Sequence, residues 1–488
     1  MRIAMVASEC EPFAKTGGLA DVVDALARAL ASPPPEGLGH EVDVYLPWYR
    51  GLVPPPEIER LELAVSVGSP EPGSPARQER VSLWSGAGPG YRLRLVEHPS
   101  SFDRAGYYME GGQDHPDNAA RFTLLARAVL EAIRLEARSV DVLHGHDWQA
   151  VPALLALRTR FGQNPALAGT ASVLTCHNLA YHGWTPRAAV WQLDLPADLG
   201  DSHGVDLLRE GIRSADIVNT VSPTFARESL TAALGSGLNE ALAARADRYL
   251  GILNGIDTRL WDPATDDALA SPYSAADLGG KVACRVDLCR RHGLDPDGPL
   301  LGLIGRLDPQ KGFDLVTAAG PALMAEGARL VVLGTGHEDL VSGLRALSAA
   351  YPARIAVLDR FDRDEARRLY TGSDLFLMPS RFEPCGQGQM IALRYGTPPI
   401  VRATGGLADT VIDADADSSA GTGFVFGPPE PTALLEAVRR AARAVREPAR
   451  FRAIQARGMA RDDSWRLPAL RYEEAYRRAL ASPGVSAG

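Results

Sequence analysis

The sequence predicts an α/β protein built around two parallel β-sheets. Short apolar runs rich in β-branched residues alternate with helix-length segments along the 488 residues, the pattern of parallel strands buried on both faces. Eleven such runs are present, too many for one comfortable doubly wound sheet. A chain of this length is also expected to contain at least two domains. We therefore predict a first domain over residues 1–249 and a second over 250–465.

The candidate strands follow in chain order. Those of the first domain are Ile3–Ala7, Val42–Leu46, Leu93–Val96, Val140–His144, Ser172–Cys176 and Ile217–Val221. Those of the second domain are Leu300–Ile304, Leu330–Leu333, Ile355–Leu358, Leu375–Met378 and Pro399–Val401. The segment Leu52–Tyr91, rich in Pro, Gly and Ser, is predicted to be an insertion of loops and short antiparallel strands. A helical pattern over 466–488 is expected to return to the first domain.

Composition and charge exclude several protein classes. Hydrophobic residues make up 45% and charged residues 23%, as in ordinary globular proteins, and the net charge of −9 argues against a nucleic-acid binder. No apolar run approaches the ~20 residues of a membrane span. Glu9 comes too early for a secretory signal. The five scattered cysteines are then expected to be reduced thiols of a cytoplasmic protein.

Basic residues are almost all arginine. Of the 51 lysines and arginines, only Lys15, Lys281 and Lys311 are lysines, and the other 48 are arginines. In a chain that favours arginine so strongly, a retained lysine indicates a need for a compact ammonium charge. We interpret Lys15 and Lys311 in this way because of the motifs around them. Lys281, in an ordinary helical stretch, is interpreted as a chance survivor.

One hexapeptide, Thr-Gly-Gly-Leu-Ala-Asp, occurs at residues 16–21 and again at 404–409. Each copy follows a predicted strand and opens a predicted helix. A glycine pair at such a point lets the backbone approach a ligand and directs N–H groups toward an anion. For an isolated Gly-Gly dipeptide, the alternative interpretation is a tight turn in which a glycine allows close packing. Lys15 and the repetition favour a phosphate site.

Two loops follow strands of the second domain. Arg306 and Lys311 come after Leu300–Ile304, and two cations at the carboxyl end of a strand suit a diphosphate. Glu383 comes after Leu375–Met378, where a favourable partner for a helix dipole is the alternative interpretation. Cys385 has no histidine near it in sequence, so we assign it no chemistry beyond its backbone N–H.

Histidines end two predicted strands of the first domain. His144 and His146 lie in one segment and His177 follows the next strand. We expect His144 and His146 on opposite faces of their strand, and no cysteine or acid cluster completes a tetrahedral ligand set. The sequence therefore predicts no metal site. Asn254 and Gly255 form a turn signal near the domain boundary.

Together these motifs resemble those of bacterial glycogen synthases and plant starch synthases. The matching segments run in order from residue 1 to Trp465 and include Lys15–Val22, Asp117–Phe122, His146–Trp148, His177–Tyr181, Asn254–Asp257, Gly305–Leu307, Gln310–Gly312, Ser380–Gly386 and Thr404–Thr410. The Lys-Thr-Gly-Gly-Leu and Glu-Pro-Cys-Gly elements are specific to this family. The resemblance implies a GT-B glycosyltransferase, with two Rossmann-like doubly wound domains facing one another across a cleft.

The resemblance also implies site residues and a reaction. The implied catalytic residues are Glu383, Lys15, His177, Arg306 and Lys311. The implied substrate-binding residues are Lys15, Gly17, Gly18, Asp147, Asn254, Phe361, Cys385, Gly386, Thr404, Gly405 and Gly406. The implied reaction transfers glucose from ADP-glucose to the non-reducing end of an α-1,4-glucan with retention, without a metal or other cofactor. UDP-glucose stays open as the donor.

The chain departs from the family pattern at two positions near the implied donor. Ala403 stands where relatives often carry arginine, and Phe361 where they often carry tyrosine. We expect no second carboxylate beside Glu383, which favours leaving-group-assisted attack on one face over a covalent double displacement.

Two other functions agree less well with these motifs. An NAD-dependent oxidoreductase would carry Gly-x-Gly-x-x-Gly after the first strand, whereas this chain carries Lys-Thr-Gly-Gly, and Gly334-Thr335-Gly336 is too short a match. A non-catalytic glucan-binding protein would need aromatic platforms but no clustered cations. The expected partners are thus a nucleotide sugar and an α-glucan, with neither nucleic acid nor membrane.

Overall fold

The computed structural model describes residues 1–68, 76–195 and 199–482, and the chain divides into two compact units. The first unit comprises Met1–Val221, Ala226–Asn254 and the chain from Trp465 onward, and the second comprises Ser222–Phe225 and Gly255–Ser464. Each unit is built on its own mainly parallel sheet. The predicted α/β class with two sheets is confirmed.

Thirteen strands lie in the described part of the first unit. In chain order they are β1 Arg2–Val6, β2 Glu41–Pro47, β3 Ile58–Val67, β4 Arg77–Ala87, β5 Arg92–Glu97, β6 Met109–Glu110, β7 Gln113–Asp114, β8 Val142–His146, β9 Ala171–Cys176, β10 Trp184–Pro186, β11 Gly204–Asp206, β12 Ile217–Thr220 and β13 Tyr249–Gly251. Nine of them form one sheet in the order β13-β12-β9-β8-β1-β2-β5-β4-β3. The pairs β6–β7 and β10–β11 form two small antiparallel sheets.

Helices cover this sheet. They are α1 Gly18–Ala31, α2 Pro99–Phe102, α3 Asn118–Glu136, α4 Asp147–Thr159, α5 Leu207–Ser214, α7 Asn239–Ala243 and α16 Arg466–Ala481. Helix α6, Pro223–Glu228, begins in the second unit and ends in the first. Helix α1 turns one apolar face to the core, with Val22, Leu26 and Leu30 buried. Helix α16 packs into the same core through Tyr472 and Tyr476, both fully buried.

The segment predicted as an insertion of short strands is instead a long hairpin joined to the main sheet. Strand β3 has 10 residues and β4 has 11, and they pair antiparallel from Ile58 opposite Gly86 to Val67 opposite Arg77. Alternation between the two faces of the sheet explains β3, because Leu63 and Val65 are buried whereas Glu62 and Ala64 are exposed. Part of the Pro, Gly and Ser enrichment falls on residues 69–75, which lie outside the described residues.

The second unit contains a six-stranded parallel sheet in the described part of the chain. Its strands are β14 Leu300–Ile304, β15 Arg329–Leu333, β16 Ile355–Leu358, β17 Leu375–Met378, β18 Pro399–Arg402 and β19 Phe424–Phe426, in the spatial order β16-β15-β14-β17-β18-β19. Its helices are α8 Gly279–His292, α9 Phe313–Ala325, α10 Glu338–Ala350, α11 Arg363–Gly372, α12 Gly388–Arg394, α13 Gly405–Thr410, α14 Pro431–Val445 and α15 Pro448–Met459. A 3₁₀ turn precedes α9 at Pro309–Lys311.

Lys281 on α8 is buried, which corrects its interpretation as a chance survivor. Its Nζ atom donates to the Thr371 carbonyl and to Thr397 Oγ1, each at 2.6 Å, and it lies 5.8 Å from the Tyr273 ring centroid. Burial lowers the pKa of this amine to about 7. The compact amine of lysine fits this position. The guanidinium of arginine is broader and has more N–H groups that would need acceptors here.

Across the described ranges, no helix combines the length and apolar character needed to cross a bilayer.

Candidate active site

Three predicted loops of the second unit meet because their strands are neighbours. Strands β14, β17 and β18 lie side by side and run parallel, so their carboxyl ends share one edge of the sheet. The loop 305–312 follows β14, the loop 379–386 follows β17, and Thr404 and Gly405 follow β18. Ligands of open α/β sheets bind at this edge.

Glu383, which is buried, and Lys311, which is partly buried, form an ion pair at this edge. The Lys311 Nζ atom lies 2.6 Å from Glu383 Oε2, and the Ser380 hydroxyl donates to the same oxygen at 3.0 Å. Glu383 is 5% exposed. A carboxylate this deeply buried needs a cation or several donors, and Lys311 supplies the cation.

Further contacts hold the two loops against each other. The Arg381 amide donates to the Gln310 carbonyl at 2.7 Å, and Gln310 Nε2 donates to the Phe382 carbonyl at 3.1 Å. The Arg381 guanidinium binds both carboxylate oxygens of Asp314, at 2.7 and 2.8 Å. Sequence reasoning missed these positioning residues, because only the fold brings the segments 310–314 and 381–382 together.

Arg306 and Phe361 are both exposed. The Arg306 side chain is 60% exposed, and its ion pair with Asp308 measures 3.4 Å. Phe361 follows β16 and is 80% exposed. Among the described residues, no hydrogen bond joins Arg306 to Lys311 or Glu383, so its guanidinium is accessible to a ligand.

The second copy of the repeated hexapeptide is buried against the Glu383 loop. Thr404, Gly405 and Gly406 are all buried, and the Gly406 N–H donates to the Glu383 carbonyl at 3.1 Å. A Cβ atom on Gly406 would lie 2.0 Å from the Cys385 carbonyl oxygen. The glycine pair is therefore explained by close packing of two backbone segments, and the Gly406 N–H already has an acceptor.

Gly386 has a similar backbone requirement. Its φ of +70° is in the left-handed region that favours glycine, and a Cβ atom there would meet the Gln389 side chain at 2.5 Å. Gln389 Nε2 donates to the carbonyls of Cys385 and Gly386, each at 3.1 Å. These contacts fix the Cys385–Gly386 peptide at the start of α12.

In the first unit, the neighbouring strands β1, β8 and β9 also end at one edge. The first copy of the hexapeptide follows β1, and there Glu9 supplies an anion from within the chain. Glu9 is 3% exposed and accepts from the Thr16 amide, from Thr16 Oγ1 at 2.6 Å and from the Gly17 amide at 3.2 Å. Lys15 Nζ pairs with Asp21 Oδ1 at 2.5 Å.

Asp147 and His177 meet after β8 and β9. Asp147 Oδ1 accepts from the His177 amide at 2.7 Å, and Asp147 adopts φ of +57°, uncommon for a residue with a side chain. Burial raises the pKa of the Asp147 carboxyl to about 7, against the amides of His177 and Asn178, which lower it. Burial lowers the pKa of His177 to about 3, so its imidazole is neutral near pH 7.

The expectation that His144 and His146 occupy opposite faces of β8 is wrong. Residues two apart on a strand share a face, and the two ring centroids lie 4.1 Å apart. His146 Nδ1 lies 3.0 Å from His177 Nε2. Within the described ranges, no group of three or more His, Cys, Asp or Glu side chains is arranged to hold a metal ion.

Asn254 is the last residue of the first unit before Gly255. Its side chain is 5% exposed, and its Oδ1 atom has no hydrogen-bond partner among the described residues. Asn254 is therefore the residue at which the chain passes from the first unit to the second.

Comparison with known proteins finds matches along most of the chain. Residues 2–244 match the family model of the starch synthase catalytic domain, and residues 287–455 match that of glycosyl transferases group 1. Glycogen synthases of Syntrophotalea carbinolica and Anaeromyxobacter dehalogenans are 43% and 44% identical, each alignment covering 98% of this chain and 99% of the relative. The solved catalytic domain of starch synthase IV from Arabidopsis thaliana, bound to ADP and acarbose, superposes with a TM-score of 0.88 at 31% identity over 99% of both chains.

Proposed function

Because the chain belongs to the starch and glycogen synthase family of GT-B glycosyltransferases, we propose that it transfers glucose from ADP-glucose to the non-reducing end of an α-1,4-glucan with retention of configuration. The observation that carries this proposal is the ion pair of the buried Glu383 carboxylate with Lys311 at the carboxyl ends of three parallel strands. The similar Arabidopsis structure holds ADP and acarbose, a nucleotide and an oligosaccharide mimic, which supports both the donor and the acceptor class.

Lys311 and Arg306 act on the donor diphosphate. Cleavage of the glycosidic bond leaves negative charge on the departing nucleoside diphosphate, and cations already held in place stabilise that charge as it develops. Glu383 holds Lys311 at 2.6 Å and so fixes the position of the ammonium group. Arg306, with its exposed guanidinium, adds a second cation at the same sheet edge.

Glu383 binds the glucose moiety. Its carboxylate offers acceptor capacity to sugar hydroxyls beyond the oxygen that Lys311 and Ser380 share. Leaving-group-assisted attack on one face is proposed from the sequence resemblance, in place of a double displacement that needs two carboxyl groups. The amides near Cys385 and Gly386 lie on the same fixed loop.

The remaining assignments rest on the sequence resemblance. Lys15, Gly17 and Gly18 are proposed to contact the donor, and Asp147, His177 and Asn254 the sugar and the acceptor. No metal or other cofactor is proposed, because Arg306 and Lys311 supply positive charge for the leaving group. A cytoplasmic location agrees with the five cysteines, all of which are buried free thiols.

The test is transfer of label from ADP-[¹⁴C]glucose into glycogen, run beside UDP-[¹⁴C]glucose. We expect incorporation with the ADP donor and removal of the label by an α-1,4-specific amylase. Glu383→Gln should lower turnover by about 10²–10³-fold, the usual effect of losing a fixed charge that acts in the transition state.

Glu326→Gln is a matched control, because Glu326 pairs with Arg439 on the surface of the same unit at 2.8 Å. It should leave turnover unchanged. Wild-type turnover in Glu383→Gln would remove Glu383 from the site, and absence of label in the polymer with either donor would overturn the proposed reaction.

A further inference from the structure

Three histidine rings of the first unit lie in a row, two of them buried and the third, His177, partly buried. His144 and His146 lie at the end of β8, and His177 follows β9. The ring centroids of His146 and His177 lie 5.3 Å apart, and those of His144 and His146 lie 4.1 Å apart. His144 and His146 are fully buried. Buried imidazoles in hydrogen bonds have defined tautomers, which their partners determine.

The protonation pattern can be followed from the C-terminal helix α16 inward. Asn219 Nδ2 donates to the Tyr472 hydroxyl at 3.2 Å, which leaves Asn219 Oδ1 as the acceptor of the Thr175 hydroxyl proton at 2.8 Å. Because the Thr175 hydroxyl already donates its proton to Asn219, it can only accept from the histidine. His144 Nε2 therefore donates to Thr175 Oγ1 at 2.7 Å.

His144 then carries its proton on Nε2. Its Nδ1 atom consequently accepts from the Tyr476 hydroxyl at 2.9 Å. Burial lowers the pKa of His144 to about 3, which agrees with a neutral ring. The first ring of the row is thereby fixed in one tautomer by groups from β9, β12 and α16.

The next contact joins His146 Nδ1 to His177 Nε2 at 3.0 Å, and one of these nitrogens must carry the proton. His146 Nε2 is buried and has no hydrogen-bond partner among the described residues. A proton on that atom would create a buried N–H without an acceptor, which is rarer in proteins than an unpaired acceptor. His146 therefore carries its proton on Nδ1 and donates it to His177 Nε2.

We propose that His146 is a positioning residue that holds His177 in the Nδ1–H tautomer, so that His177 presents a hydrogen-bond donor to an oxygen of the bound sugar. His177 Nε2 is occupied as an acceptor, and the neutral ring has one proton left for Nδ1. His177 Nδ1 has no partner among the described residues and is not buried from solvent. Its use on a sugar oxygen rests on the proposed function, whereas the tautomer does not.

The tautomer is measured directly by long-range ¹⁵N–¹H correlation spectra of the full chain labelled with ¹⁵N-histidine. We expect the His177 pattern, identified by its loss in His177→Gln, to show a proton on Nδ1 and none on Nε2. A His177 protonated on Nε2 would overturn the proposal whatever the activity of the enzyme.

The positioning role is tested with two substitutions at the neighbouring ring. His146→Asn keeps an N–H donor near the position of Nδ1, whereas His146→Leu removes it. We expect kcat/KM to fall about tenfold or more in His146→Leu, the effect of one lost hydrogen bond, and to stay within about threefold of wild type in His146→Asn. His203→Asn, at an 84%-exposed side chain, is the surface control.

The outcomes are separable. Equal losses in a folded His146→Asn and a folded His146→Leu would overturn the positioning role, and so would wild-type kinetics in both. If His146→Leu does not fold, the spectra of the wild type and His146→Asn decide the proposal, since His177 must keep its Nδ1 proton in both. An Nδ1–H tautomer in a chain that transfers no glucose would instead count against the proposed function alone.

Discussion

The hexapeptide Thr-Gly-Gly-Leu-Ala-Asp begins with three exposed residues in the first unit, at residues 16–21, and is largely buried in the second unit, at residues 404–409. Thr16, Gly17 and Gly18 are exposed, and a Cβ atom on either glycine would meet nothing within 4 Å. In the second copy, a Cβ atom on Gly405 or Gly406 would lie 2.0 Å from a backbone carbonyl oxygen. The same six residues therefore leave open space in one unit and allow dense packing in the other.

The terminal aspartate differs in the same way. Asp21 pairs with the Lys15 ammonium at 2.5 Å, whereas Asp409 accepts from the Thr224 amide at 3.0 Å and its hydroxyl at 2.6 Å. The aspartate of the first copy thus holds the Lys15 side chain in place. The aspartate of the second copy links its helix to the segment that contains Thr224. The comparison teaches that a glycine pair at a helix start has no fixed purpose, because its neighbours decide between ligand space and packing.

The largest expected effect is that of Gly406→Ala. The added Cβ atom would collide with the Cys385 carbonyl at 2.0 Å, and a backbone group cannot move aside as a flexible side chain can. We expect the second unit to lose about 3 kcal/mol or more of stability, as in severe overpacking. Thermal unfolding followed by circular dichroism checks this. A variant as stable as wild type would break the comparison.

The second prediction concerns the charged copy. Lys15→Arg keeps the positive charge but replaces a compact ammonium, held between Asp21 at 2.5 Å and Glu11 at 3.5 Å, with a broad guanidinium fork. We expect kcat to fall about 10- to 100-fold with no loss of stability, because a misplaced cation stabilises developing charge poorly. Steady-state kinetics with ADP-glucose measure this, and full activity would contradict the interpretation of this lysine.

The buried lysine of the second unit gives a pH-dependent marker for the unfolding of that unit. The pKa of Lys281 is about 7 in the folded protein and about 10.4 in an unfolded chain. Between these values the unfolded state holds more protons, so the free energy of unfolding should rise with pH, by roughly 2 kcal/mol from pH 7 to 9.

Lys281→Met should flatten this slope, which denaturation curves at pH 7 and pH 9 measure. The same transition should be the one that Gly406→Ala shifts, since both residues belong to the second unit. A slope that persists in Lys281→Met would assign the pH dependence to another group.

The smallest expected effect is that of Gly18→Ala. Nothing surrounds the new methyl group, and alanine favours the helix by about 1 kcal/mol, so stability should hold or rise slightly. If the open space admits the donor, the KM for ADP-glucose should increase by about three- to tenfold, the effect of a weakened backbone contact. An unchanged KM would contradict the prediction that the donor binds in the open space beside the first copy.

The strands were predictable because buried parallel strands produce local, continuous apolar runs. All eleven predicted strands occur, each within two residues of its predicted bounds. The loops of Lys311 and Glu383 were also placed correctly at strand ends, since chain order alone determines which loop follows which strand. The Leu52–Tyr91 hairpin was misjudged because its exposed charged residues interrupt each apolar run, and the three-residue β19 is too short to recognise.

The candidate site was harder to predict, because its geometry depends on distant residues. The packing of Gly406 on Cys385 joins residues 21 positions apart in the sequence, and the burial of Lys281 depends on Thr371 and Thr397. The faces of His144 and His146 followed from strand periodicity and were misassigned. The orientation of Asp147 required a left-handed backbone for which the sequence gives no signal.

Helix α16 has a consequence for synthesis of the protein. The hydroxyls of Tyr472 and Tyr476 bind Asn219 and His144, which precede them by 253 and 332 residues. A ribosome must therefore add 253 residues beyond Asn219 and 332 beyond His144 before the first unit can complete this polar network. We expect a nascent chain that still lacks α16 to carry an incompletely folded first unit.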